Sequence, residues 1–139
     1  MSTISPRETL DRAIDDLLSQ LVMQSSLVEK SLRESVGSLS HQDVHEAKQI
    51  YLADREINKK SFEIEEQVIT LIATQQPMAR DLRLLTAILE VTTELERMGD
   101  YAKGIARITV RIGQEKFLPP MSHIPPMAEI CIDMLHRVI

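Results

Sequence analysis

Aromatic residues are scarce: two Tyr, two Phe and no Trp in 139 residues. A core built from this chain must therefore be mostly aliphatic. A single cysteine, Cys131, excludes an internal disulfide and a cysteine-rich zinc site, and a reducing compartment is the simple expectation. Positive charge is also short, with 16 Lys and Arg against 21 Asp and Glu and a net charge of −5. That balance suits neither nucleic acid nor an anionic membrane, and a surface that binds ions should prefer cations. No run approaches the roughly 18 apolar residues of a membrane span, and the opening Met1 to Glu8 has no apolar signal core. Membrane insertion is not expected, and a cytoplasmic location is. Hydrophobic content of 43% and charged content of 27% are ordinary for a globular domain, so wholesale disorder is excluded.

The 4 glycines and 6 prolines punctuate three long helical patterns. Ser5-Pro6-Arg7-Glu8 reads as a capping box with proline at the first helical position. Leu10, Ile14, Leu17, Leu21, Val28, Leu32 and Val36 then keep a helical stripe up to Gly37, a natural stop. A second start over Ser40 to Asp43 leads into Ala47, Ile50, Ile57, Ile64, Val68 and Leu71, ending at Gln75-Gln76-Pro77 because proline cannot continue a helix. Leu85, Ile88, Leu95, Ala102 and Ala106 form the third stripe, fading at Gly113. Strand signals are missing. Helices of about 30 residues joined by such short links must run antiparallel. The fold class is therefore all-α, with residues 1–113 as an antiparallel three-helix bundle. Residues 114–126 carry four of the prolines and read as a linker. A further amphipathic stretch over 127–139 presents Met127, Ile130, Met134, Leu135 and Val138, with no helix of the bundle left over to cover them. The segment must fold back on the bundle, pair with a second copy or stay mobile, and pairing, as a homodimer, is the expectation.

Catalytic machinery is missing from the motifs. There is no phosphate-cradling glycine loop, no nucleophile elbow and no cysteine in a catalytic setting beside histidine. An enzyme is not expected. Glu96 and Asp100 stand one helical turn apart, about 40° on the helical wheel, on the shoulder between apolar stripe and solvent. Asp54, Asn58, Ser61 and Glu65 make a similar shoulder on the second helix. Carboxylates at i and i+4 repel by a few tenths of a kcal/mol, which a hard cation with oxygen ligands would relieve. Spacing alone favours the simpler reading, in which Arg97, Lys103 and Arg107 neutralise a solvated face. Gly99 lies near the middle of its apolar stripe, where it implies close approach of another helix; Gly104 lies on the outer side. His41 and His45 have metal-ligand spacing on the second helix but no evident third ligand. Asp133 and His136 are a lone i, i+3 pair.

Residues 91–106, Val-Thr-Thr-Glu-Leu-Glu-Arg-Met-Gly-Asp-Tyr-Ala-Lys-Gly-Ile-Ala, resemble the third-helix signature of the PhoU family of phosphate-uptake regulators. The resemblance extends through Gln75-Gln76-Pro77-Met78-Ala79-Arg80-Asp81-Leu82-Arg83, through Asp54-Arg55-Glu56-Ile57-Asn58, and through Leu27-Val28-Glu29-Lys30-Ser31-Leu32. It implies a protein of two three-helix repeats, of which residues 127–139 would begin the second, truncated here. It also implies a cytoplasmic negative regulator linking a phosphate ABC transporter to a phosphate sensor kinase. By the same resemblance, Glu96, Asp100 and Asp54 would hold iron or another divalent or trivalent cation. Asn58 stands where an aspartate would complete the second-helix motif, and Gly104 where the family often has asparagine. The alternative is a structural helical interaction module without metal.

Overall fold

The computed structural model describes residues 5–115 and 121–139. Four helices follow in order: α1 (Pro6–His41), α2 (Val44–Gln75), α3 (Ala79–Ile112) and α4 (Ile124–Val138). The first three pack against one another, and α4 packs against α1. Connections of two and three residues between helices this long force α1, α2 and α3 to lie antiparallel, side by side. Of the expected linker, residues 116–120 lie outside the described part.

The capping box is formed: the Ser5 side chain accepts from the Glu8 backbone N–H, and the Glu8 carboxylate accepts from Ser5 N–H at 3.0 Å. Two expected boundaries move. Gly37 does not stop α1, which continues to His41 and ends at Gln42 in the left-handed conformation, φ 54°. Here the Asp43 N–H returns to the Ser38 carbonyl at 2.8 Å, a bond that closes a helix end as well as a glycine would. Burial of Ser38 and Leu39 rewards the extra turn. The N-cap of α2 is Asp43, bonded to the Glu46 N–H, while Ser40 instead bonds back to the Val36 carbonyl inside α1. At the other turn Gln76 takes the left-handed conformation immediately before Pro77.

The buried face of α2 runs Ala47, Ile50, Asp54, Ile57, Ser61, Ile64 and Val68. That of α3 runs Leu85, Ile88, Thr92, Leu95, Gly99, Ala102, Ala106 and Thr109. Both alternate steps of three and four without a miss, the seven-residue repeat of helices packed along a seam. Ile57, Ile64, Val68, Leu85, Ile88 and Leu95 form one cluster with Leu10, Ile14, Leu17, Leu21 and Val28 of α1, while Ala47, Ile50 and Ala106 form a second.

The fourth helix departs from expectation. It starts at Ile124, three residues early, because Pro125 and Pro126 fall in its first turn, where an amide N–H has no helical partner to lose. It also folds back on its own bundle, burying Ile132 and Leu135 against α1. Met127, Ile130, Met134 and Val138 stay exposed, Val138 by 82%. A groove of about 560 Å³ runs between α4 and α3, walled by Val91, Leu95, Met98, Met134 and Leu135.

Candidate functional site: a buried carboxylate between α2 and α3

Asp54 does not sit on a shoulder. It occupies the gap between Ile50 and Ile57 in the α2 repeat and is 1% exposed. A buried carboxylate is costly unless it is paired and hydrogen-bonded. Its partner is Lys103 of α3, whose Nζ donates to Oδ2 at 2.7 Å. Asn58, one turn along α2, donates its side-chain amide to the same oxygen at 3.3 Å. Gly99 makes room for Ile57 beside the carboxylate: a Cβ there would crowd Ile57 Cδ1 at 3.1 Å and would stand in ordinary contact, 3.6 Å, with Asp54 Oδ1. This is the close approach that the glycine's place on the stripe implies. Two acceptor oxygens at this point, Asp54 Oδ1 and Asn58 Oδ1, are buried without a hydrogen-bond partner among the described residues.

Lys103 is held from several directions. Its Nζ lies 5.2 Å from the centre of the Tyr51 ring, within cation–π range. The hydrogen bond to Asp54 raises the lysine pKa above its ordinary value, with Coulombic help from Asp54, Tyr51 and Asp100 and opposition from burial. Asp100 itself is exposed, and Glu96 is half-buried one turn before it.

The three carboxylates named from the sequence therefore occupy different settings, one in the core and two toward the surface. Among the described residues no three His, Cys, Asp or Glu side chains gather closely enough to hold one metal ion. The position beside Asp54 Oδ2 where a cation would sit is filled by an ammonium. As it stands, this donor set fits an internal lysine rather than a metal. The other sequence pairs also resolve into simpler roles. His41 ends α1 and bonds the Gly37 carbonyl at 2.8 Å, whereas His45 belongs to α2, so they share no helical face. His136 instead faces Glu29 of α1 at 3.4 Å.

One turn along α2 from Asn58, a second polar layer spans all three helices. Ser61 Oγ lies 3.3 Å from Thr92 Oγ1, Thr92 Oγ1 donates to Gln24 Oε1 at 2.7 Å, and Gln24 Nε2 donates to the Thr92 carbonyl at 3.2 Å. Since the Thr92 hydroxyl proton is committed to Gln24, Ser61 is the donor to Thr92. The apolar stripes name none of these residues, yet all occupy the repeat. The positions skipped between Ile57 and Ile64, and between Ile88 and Leu95, are where Ser61 and Thr92 stand.

A family model described as PhoU domain matches residues 21–109. The chain belongs to the PhoU family. Over 132 residues it is 32% identical to a Burkholderia sp protein named phosphate-specific transport system accessory protein PhoU homolog, covering 93% of this chain and 56% of that protein. It is 29% identical over 126 residues to the Escherichia coli (strain K12) phosphate-specific transport system accessory protein PhoU, covering 91% and 52%. A Clostridium acetobutylicum homolog of the same name is 37% identical over 111 residues, covering 79% and 51%. The chain spans about half the length of the curated relatives it matches. No described helix is long and apolar enough to cross a membrane.

Proposed function

We propose that the chain is a cytoplasmic, non-enzymatic regulator of phosphate uptake and homeostasis. It acts negatively, by docking on a phosphate ABC transporter, on the phosphate sensor kinase, or on both. The observation that carries this reading is the family match along 21–109 together with relatives named as accessories of a phosphate transport system. The fold supports a presenting scaffold: three long helices packed along continuous repeats and tied across the interior by the hydrogen bonds of Gln24, Ser61 and Thr92. Co-elution of the chain with a detergent-solubilised phosphate transporter, and separately with the cytoplasmic part of the kinase, tests the reading. Binding to either partner supports it; binding to neither overturns it.

The exposed side of α4 supports the second component, a homodimer. Met127, Ile130, Met134 and Val138 stay in water although burying such a side chain is worth roughly 1.5–3 kcal/mol. Light scattering on the intact chain should report a dimer, and a Met134→Glu, Val138→Glu variant should run as a monomer with unchanged helix content. A wild-type monomer at high concentration removes the homodimer from the proposal and leaves the docking reading to its own test.

A further inference from the structure

The pocket around Asp54 is richer in acceptors than in donors. The Asp54 carboxylate stands there with the Asn58 amide one turn along, the Asp54 side chain is 1% exposed, and one oxygen of each residue has no partner among the described residues. The positive charge is delivered by Lys103 from the facing helix, at 2.7 Å. The Tyr51 ring, its centre 5.2 Å from Nζ, further stabilises the ammonium.

We propose that Lys103 is the resident cation of this pocket: its ammonium occupies Asp54 Oδ2, so the wild-type chain excludes a hard metal ion that the oxygens would otherwise accept. Three arguments support this. A metal ion and an ammonium cannot share Asp54 Oδ2 at bonding distance, because their charges repel at close range in a poorly solvated site. An ammonium donates along a few N–H directions, and Lys103 bonds one oxygen and leaves two bare. A hard cation gathers six or more oxygens, including water, and could use both Asp54 oxygens, joined by Asn58 Oδ1 once that amide turns over to present its carbonyl. The lysine is also covalently tethered, so it is present at every metal concentration. Metal binding on this face then depends on whether position 103 carries a positive charge, a dependence that the acidic residues alone do not reveal. The inference stands apart from the docking proposal, which needs no metal.

Mn²⁺ is a suitable probe, being hard, oxygen-seeking and countable by electron paramagnetic resonance. The wild type, Lys103→Met, Lys103→Arg and the double variant Lys103→Met, Asp54→Asn are each dialysed against Mn²⁺. Bound ion is counted, and melting is followed with and without the metal. Lys103→Met should bind on the order of one Mn²⁺ per chain and melt higher when it is present. The wild type, the charge-preserving Lys103→Arg and the double variant should bind none and show no shift. Stoichiometric Mn²⁺ on the wild type overturns the proposal by itself, whatever the variants do. So does a folded Lys103→Met that binds no ion. Should Lys103→Met lose its helical circular dichroism, Lys103→Gln replaces it, keeping a polar head without the charge. A Gln variant that is folded and metal-free overturns the proposal equally, and a Gln variant that folds only when Mn²⁺ is added supports it.

Discussion

The two halves of the bundle obey the same repeat with different chemistry. In the half nearest the Gln76–Pro77 turn, the buried side chains are Leu10, Ile14, Leu17, Leu21, Ile64, Val68, Leu85 and Ile88, all apolar. From Gln24 to the opposite end, the buried set includes Gln24, Ser25, Ser35, Ser38, Asp54, Ser61, Thr92 and Thr109. Aliphatic burial in the first half stabilises without regard to direction. In the second half, smaller residues and Gly99 let α2 and α3 approach, and each polar group restricts which partner can stand opposite. The apolar half holds the helices together; the polar half fixes how they sit.

That contrast can be broken most strongly from the apolar side. Leu17 has no exposed surface, and Leu17→Ala should cost about 3–5 kcal/mol through lost burial and a cavity that a three-helix seam closes poorly. Urea unfolding measures it. Next in size is Lys103→Met in metal-free buffer, which strands the Asp54 carboxylate. The expected loss is about 3 kcal/mol, at the low end for a broken buried pair because Lys103 keeps part of its surface in water. Adding Asp54→Leu to that variant should recover most of the loss, since apolar replacement of both partners is close to neutral. A double variant as unstable as the single one would show that the carboxylate was not the source of the cost.

Gly99→Leu sharpens the comparison with a smaller effect. Overpacking against Ile57 costs about 1–3 kcal/mol, and under about 1 kcal/mol returns as helix propensity. The net change should be destabilising, with the melting temperature falling. A rise would mean that Ile57 can move aside and that the two helices have slack at this level.

Much of the fold is legible because its signals are local. Ser5 with Glu8, Pro77 and the spacing of leucines and isoleucines act within a turn or two of chain, so three antiparallel helices follow from them. The candidate site was harder to read because polar residues hold core positions. On a wheel of about 100° per residue Asp54 and Ser61 fall between Ala47 and Ile50, inside the apolar arc. Their polarity, not their place on α2, points to a shoulder, while the observed packing keeps both in the core. Counting alternate steps of three and four from Ala47 to Val68 would have placed them correctly, with no wheel at all. Nothing comparable would have found the pairing of Asp54 with Lys103. They are 49 residues apart, and Lys103 reads equally well as a surface charge beside Asp100.

By itself the sequence determined the helices, the sense in which they run, the aliphatic core, the close approach at Gly99 and, through its motifs, the PhoU family. Each depends on residue type and short-range spacing, which the chain carries wherever it folds. Only the tertiary structure decided that Asp54 is buried beneath Lys103, that Gln24, Ser61 and Thr92 join across three helices, and that α4 turns back on α1. Those outcomes depend on which side chain of one helix meets which of another, and that register is set by packing every seam at once.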